Sequence, residues 1–432
     1  MKRLLEIKNI VARGSCVSHV MGNAAIVTQK KLFTPGPLNT SASVKSAMLA
    51  DYGSRDVAFI DVVRFIRKTL LEMAGCSEEN YTVIPLQGSG TYAVESIFAN
   101  VLGRNASSTQ HVNKFSKCLL FQLPEFDKLV EGPTKCCRAL ILSNGAYANR
   151  MQSISEAGGY FSNCLKFPED QAMDLVAVES ELAKEPKRYT MVSMVHCETS
   201  TGMINPIAQV GALVKKYNPD CIFTVDAMSS FGAVDINITS IDADFVVSSA
   251  NKCVEGVPGF SFIVAKKSVI NATKGNCMIL SFDLSAQYET LEASGQFRFT
   301  PPTHAMVAFK QALIEYQLEG GLEQRCKRYM TNSRIIRNGM AAFGFRCLLP
   351  DTIQSYIITS FHCPKVPEFN FKLFCDKLSE KGHVIYPGKT SVADCFRIGN
   401  IGQIYPNDCE ELIDAIRLTL SEMKIKVPLD QN

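Results

Sequence analysis

The 432-residue chain has no C-x-x-C pair and no H-E-x-x-H pattern, which removes the usual spacings for zinc ligation. Its sixteen cysteines run along the whole chain, with only Cys136 and Cys137 adjacent. That spread argues against a disulfide scaffold, and the thiols are expected to be reduced and mostly buried, in an intracellular compartment. Neither sign of charge is in excess: Lys plus Arg number 45 against 42 Asp plus Glu, a net charge of +3 with no long basic run. A footprint for nucleic acid or for an anionic membrane is therefore lacking. No apolar run reaches the roughly 18 to 20 residues that a membrane-spanning helix needs. An apolar signal segment with a small-residue cleavage site is missing too, which argues against secretion. Small-molecule chemistry in a soluble protein is the class that survives.

What is present is a large core. Hydrophobic residues make up 46% and charged residues 20%, as in ordinary globular domains, and the length fits about two or three of them. Residues 1–31 carry six basic residues against the single acidic Glu6. They are read as a poorly ordered N-terminal extension; the expected location is cytoplasmic, with a weak mitochondrial signal left open. Residues 32–305 are assigned to a large domain and 306–432 to a smaller α+β domain.

From about residue 80 to 265 short apolar runs alternate with helix-like stretches. The expected strands are Thr82 to Gln87, Arg138 to Ser143, Thr190 to His196, Cys221 to Asp226, Asp244 to Ser249 and Gly259 to Ala265. Several are apolar nearly throughout, as strands covered on both faces are, which points to a mainly parallel α/β sheet. Pro85 interrupts the first of them and is tolerable only at an edge or a bulge. Residues 104–137 are irregular and far longer than an ordinary helix-to-strand link, so they are read as a surface insertion.

Ligands in such sheets bind beyond the carboxyl ends of the strands. Gly88-Ser89-Gly90-Thr91 lies between a strand and a helix whose apolar positions Ala93, Val94, Ile97, Phe98, Val101 and Leu102 recur at helical spacing. Such a turn offers unpaired N–H groups to a phosphate, although many turns of this composition are only turns. Asp226 and Lys252, 26 residues apart, each follow an apolar strand. If those strands are parallel neighbours, both side chains reach one crevice; taken singly, Asp226 reads as a cap and Lys252 as a surface lysine. Together, a phosphate cradle, an acid and a lysine match what pyridoxal phosphate requires. The lysine forms a Schiff base with the aldehyde, the carboxylate keeps the pyridine nitrogen protonated, and the helix end anchors the phosphate.

The chain also resembles the class V, fold-type I aminotransferases, and within them the enzymes that act on 2-aminoethylphosphonate and pyruvate. The resemblance is carried by Phe33-Thr34-Pro35-Gly36-Pro37-Leu38, Leu86 to Glu95, Ser143-Asn144-Gly145-Ala146-Tyr147 and Met194-Val195-His196-Cys197-Glu198-Thr199. It continues through Val225 to Gly232, Ser248 to Cys253, Arg298-Phe299-Thr300, Tyr386-Pro387-Gly388-Lys389 and Cys395 to Gly402. It implies a mainly parallel seven-stranded sheet with helices on both faces, a smaller C-terminal α+β domain, a pyridoxal 5'-phosphate cofactor and a homodimer. Residue by residue, it implies Lys252 as the Schiff-base lysine and Asp226 as the partner of the pyridine nitrogen. Ser89, Gly90 and Thr91 match the phosphate turn, with Thr300 reaching the phosphate in the neighbouring subunit. Tyr147 matches a ring stacked on the cofactor, Thr199 a hydroxyl near its phenolic oxygen, and Arg397 the arginine that binds the anionic end of the substrate. The implied reaction belongs to phosphonate catabolism: 2-aminoethylphosphonate and pyruvate give phosphonoacetaldehyde and L-alanine. Alternatives are an alanine–glyoxylate or serine–pyruvate type transaminase and a cofactor-binding or interaction protein with impaired catalysis. A cysteine desulfurase would need a mobile nucleophilic cysteine that the sequence does not offer. His196 next to Cys197 suggests a nucleophile pair, but a histidine ending an apolar strand is read here as structural.

Overall fold

The computed structural model describes residues 29–103 and 138–429. The readings of residues 1–28, and of the insertion at 104–137, lie outside the described residues. Seven strands form the central sheet: β1 (Tyr81–Gln87), β2 (Arg138–Ser143), β3 (Phe161–Lys166), β4 (Met191–Val195), β5 (Ile222–Asp226), β6 (Phe245–Ser249) and β7 (Phe260–Lys266). Their spatial order is β1-β7-β6-β5-β4-β2-β3. Only β7 runs against its neighbours, pairing antiparallel with both β1 and β6, while β6, β5, β4, β2 and β3 form parallel pairs. Six strands therefore deliver their carboxyl ends to one edge of the sheet, where ligands bind in open α/β folds.

Burial follows from composition. Strands β2, β4, β5 and β6 are largely apolar and buried almost throughout, because helices cover both faces. Pro85 sits on β1, which pairs with β7 alone at the end of the sheet, so its missing N–H breaks no central ladder. The strand that composition did not reveal is β3, Phe-Ser-Asn-Cys-Leu-Lys, a half-exposed edge on the other side. Helix α1 (Val57–Met73) covers part of the sheet, and α2 (Gly90–Leu102) starts directly from the turn after β1. The apolar positions of α2 read from the sequence are all buried. Helix α3 (Ala146–Gly158) follows β2.

The larger core extends beyond the sheet into Met306, Val307, Phe309 and Leu313 of α4 (Thr303–Glu319). A second core gathers Ile336 and Met340 of α5 (Gly321–Ala342), Phe361, Phe374, Phe396 and Leu412, and takes in Phe33 from the start of the described chain. Residues Lys31–Leu32 pair in parallel with His383–Val384, so the N-terminal strand is built into this second core. There a three-stranded antiparallel sheet is formed by β8 (Ile358–His362), β9 (Tyr386–Pro387) and β10 (Cys395–Gly399), ordered β8-β10-β9. The twelve described cysteines are all unpaired; five are buried and seven half-buried, so they are less deeply placed than composition suggested. Among the described residues no helix is long and apolar enough to cross a membrane.

Candidate active site

Ser89, Gly90, Thr91, Tyr147, Thr199, Asp226 and Lys252 all line one cavity of about 230 Å³ at the carboxyl edge of the sheet. Asp226 ends β5, and Lys252 stands three residues beyond the end of its parallel neighbour β6. The sheet alone therefore brings together the acid and the lysine that the sequence separates by 26 positions.

The turn before α2 keeps its donors free. Ser89 occupies the position preceding the helix without spending its hydroxyl on a cap, and the first N–H groups of any helix lack intrahelical partners. A hydroxyl, free amides and the positive end of the helix dipole thus meet at Ser89, Gly90 and Thr91.

Lys252 is held from beneath by the N-terminal motif: its Nζ donates to the Pro35 carbonyl at 2.6 Å. Gly36 allows this approach, since its φ is +105° and a Cβ there would stand 2.8 Å from the Lys252 Cδ. Burial lowers the pKa of the ammonium, and Arg397 adds to that, against the opposing effects of Tyr147, Cys253 and Asp226. A lysine so placed gives up its proton more readily than one in water.

Asp226 is buried and accepts a hydrogen bond from the Met228 amide at 2.9 Å. Burial pushes its carboxyl up from 3.8 to about 7, against the Met228 hydrogen bond, with Glu198 pushing the same way and Lys252 and Arg150 opposing. The sign of the linkage makes a prediction for the cofactor-free protein. A carboxyl whose folded pKa is raised contributes its stability below about pH 4 and loses it as the pH climbs through about 7. Asp226→Asn removes that loss, so its melting temperature should exceed that of the wild type above pH 7 and converge with it near pH 4. The ceiling of the gain is about 4 kcal/mol, at 1.36 kcal/mol per tenfold. Parallel melting curves from pH 4 to 8 would contradict the assignment of the titration to Asp226.

Tyr147 opens α3, with its ring beside the cavity. Burial pushes its phenol up, but Lys252, Lys389, Thr199 and Arg397 together outweigh this and leave it lowered. Arg397, on β10 and buried, lies behind Tyr147 and Thr199. Its Nη1 donates to the Thr199 carbonyl at 2.7 Å and its Nε to the Pro387 carbonyl at 3.0 Å. Thr300 is not brought into this cavity: it is exposed, and its carbonyl accepts from Gln87 Nε2 at 2.9 Å, beside the strand that leads to the phosphate turn.

Two residues escaped the sequence reading. Glu198 is fully buried and caps α3: its carboxylate accepts from the amides of Tyr147 and Ala148 at 3.2 and 3.3 Å and from the Ser200 hydroxyl at 2.6 Å. It thereby fixes the backbone of Tyr147 from a two-stranded ribbon, Cys197–Glu198 with Met203–Ile204, that follows β4. Arg150, one turn beyond Tyr147, donates to Thr91 Oγ1 at 3.1 Å and lies 5.1 Å from the centre of the Tyr147 ring. The spacing of Tyr147 and Arg150, three residues apart on one helix, was the available signal. His196 is structural: its Nδ1 pairs with Ser230 Oγ at 3.0 Å, and burial lowers its pKa to about 4.

The family model described as Aminotransferase class-V matches residues 134–392. The 2-aminoethylphosphonate–pyruvate transaminase of Klebsiella pneumoniae is 42% identical over 387 residues, covering 89% of this chain and 96% of its own. The protein of the same name from Phocaeicola vulgatus is 43% identical over 388 residues, covering 89% of this chain and 98% of its own. Among solved structures, the ureidoglycine–glyoxylate aminotransferase of Bacillus subtilis superposes with a TM-score of 0.78 at 20% identity, covering 94% of this chain and 96% of its own. A cavity that joins Lys252, Asp226 and the turn at Ser89, Gly90 and Thr91 at the edge of this sheet thus coincides with likeness over nearly the whole chain, and the chain belongs to the class-V aminotransferases.

Proposed function

We propose that the protein transfers the amino group of 2-aminoethylphosphonate to pyruvate, giving phosphonoacetaldehyde and L-alanine. The observation that carries this reading is the 42 to 43% identity, over about nine-tenths of the chain, to transaminases named for that pair of substrates. As a class-V aminotransferase it uses pyridoxal 5'-phosphate, and the residues present fit that group. Asp226 is a buried carboxylate raised by burial, which a protonated ring nitrogen would satisfy, and Ser89 leaves its hydroxyl uncommitted at a helix start. The bound cofactor supplies an aldehyde that exchanges amines and a ring that takes up electrons released at the substrate carbon.

The remaining work falls to the chain. Ser89, Gly90 and Thr91 hold a phosphate on the helix start, and Arg150 stands beside Thr91 as a further cation. Asp226 would keep the ring nitrogen protonated, Tyr147 would cover the ring, and Thr199 would offer its hydroxyl to the ring oxygen. Arg397 turns the anionic end of either substrate toward the small domain, which aims the amine-bearing carbon at Lys252. Lys252, whose pKa burial lowers, would take the proton from that carbon and give it up again, as base and then acid. Pyruvate takes the amine by the same steps in reverse, so the kinetics are ping-pong.

The working unit in this proposal is a homodimer in which Thr300 of the partner subunit completes the phosphate site. Its support is an exposed apolar surface at the site: Tyr92 is 51% exposed, Met278 68%, Leu280 70% and Phe299 45%. These lie together, since Tyr92 packs edge-on against Phe282 and Arg298 bonds the Leu280 carbonyl. Surfaces of this kind mark association.

The test is a donor and acceptor panel on the purified holoenzyme. With pyruvate as acceptor, 2-aminoethylphosphonate should exceed serine in kcat/KM by at least about tenfold, with alanine formed in equal amount. Equal or better turnover of alanine with glyoxylate, or of serine with pyruvate, would replace this reading by the neighbouring one.

A further inference from the structure

A phosphonate differs from a carboxylate in having three oxygens on a tetrahedral centre and, like a phosphoryl group, close to two negative charges at neutral pH. A site that takes both anions in turn needs something that acts on one and is dispensable for the other. Arg397 alone does not provide it. Of its five N–H donors, Nε is tied to the Pro387 carbonyl and one on Nη1 to the Thr199 carbonyl. A further donor is shared with the Tyr147 side chain, and the two that remain suit a two-pronged grip on a carboxylate.

A second cation stands beside it. Lys389 lies with its Nζ 4.4 Å from the centre of the Tyr147 ring, and Tyr147 is the cavity residue that the Arg397 side chain faces. Lys389 has no salt-bridged carboxylate among the described residues, whereas Lys31, Lys215 and Lys377, for example, each have one. Its position is imposed by the same strands that carry Arg397. Tyr386 of β9 is in register with Arg397 of β10, Pro387 is bonded by the guanidinium, and the Gly388 amide donates to the Cys395 carbonyl at 2.8 Å. Gly388 is required there, because a Cβ would overlap that carbonyl. A pinned turn thus presents an ammonium, without a carboxylate partner among the described residues, against Tyr147, the cavity residue that Arg397 also faces. Arg150, the other cation on the Tyr147 ring, is committed to Thr91.

We propose that Lys389 is the residue that distinguishes the phosphonate substrate from the carboxylate substrates, by pairing with the phosphonate oxygens that Arg397 leaves unmet. This rests on the transamination proposed for the same site and adds the residue that selects between its two anions. An ammonium suits that role because it is a compact charge with three rotatable donors, and its stem swings toward a tetrahedral anion without the planar match a guanidinium demands.

The experiment compares the wild type, Lys389→Met and Lys389→Arg as holoenzymes. Single-turnover amine transfer is followed with 2-aminoethylphosphonate and with L-alanine, and binding of the unreactive anions ethylphosphonate and propionate is followed by calorimetry. Methionine keeps the stem and removes the charge. The expected result is a fall of about tenfold or more in kcat/KM for 2-aminoethylphosphonate and in ethylphosphonate affinity, with alanine and propionate changed less than about twofold. The loss should appear in KM more than in kcat, shrink at high salt, and be largely restored in Lys389→Arg. Equal losses for both donors, or no loss for the phosphonate, would overturn the assignment of Lys389 while leaving the reaction in place. Failure of the wild type itself to use 2-aminoethylphosphonate would overturn the reaction and this proposal with it.

Discussion

Lys252→Ala is expected to give a folded protein that has lost covalent attachment of its cofactor and turns over at least about 10³-fold more slowly, the upper range of what one acid–base group contributes. The size of the effect follows from position. Lys252 is the lysine at the cavity floor, with Nζ 2.6 Å from the Pro35 carbonyl and the Gly36 backbone packed against its stem. No neighbouring amine replaces it, because Lys389 approaches from the other strand system, over the Tyr147 ring. Folding should not suffer: the ammonium that is removed is buried with no salt-bridged carboxylate among the described residues, so its loss relieves a desolvation cost. Borohydride reduction followed by peptide mapping separates the candidates. In the wild type the reduced adduct belongs on the peptide carrying Lys252, and in Lys252→Ala it should vanish while the melting temperature holds. An adduct on Lys389 or any other lysine would mean that the sheet edge has been read wrongly.

Much of this site is legible in the sequence because parallel strands carry their chemistry at their ends. Val225-Asp226 and Ser249-Ala250-Asn251-Lys252 each close a short, largely apolar run of the kind that a buried parallel strand shows. The same logic locates the phosphate turn, where the period changes from strand to helix between Gln87 and Thr91. What is hidden in the sequence depends on contacts between distant segments. Strand β3 is half exposed and mixes polar with apolar residues without a regular period, so no run marks it. Glu198 looks like any polar residue after a strand until α3 is folded against it and its carboxylate collects the Tyr147 and Ala148 amides. Phe33 joins the second core across more than 300 residues, a pairing that local periodicity does not encode. Placement also does not complete every role: Thr300 lies exposed beside the β1 end, and the function implied for it requires a second copy of the chain.

Arg397→Lys should impair both half-reactions by roughly ten- to a hundredfold in kcat/KM, which is the loss of a charge-assisted hydrogen bond of about 1.5 to 3 kcal/mol. Lysine keeps the positive charge, so a purely electrostatic role would leave activity nearly intact. The structure argues for more than charge. The guanidinium bridges two walls of the site, bonding the Thr199 carbonyl of the ribbon after β4 and the Pro387 carbonyl of β9 while still facing Tyr147. An ammonium at the end of a flexible stem cannot hold both carbonyls and present a planar pair of donors to an anion. The substitution therefore loosens the anion grip and the Pro387-Gly388-Lys389 turn together. The phosphonate half-reaction should consequently fall at least as far as the alanine half-reaction, since it loses the alignment of both cations. The contrast with Lys389→Met is the deciding comparison: removing the ammonium separates the two substrates, whereas altering the guanidinium damages both. Single-turnover rates for the two donors in each variant decide it, and a phosphonate half-reaction unchanged in Arg397→Lys would transfer the anion-binding role from Arg397 to Lys389 alone.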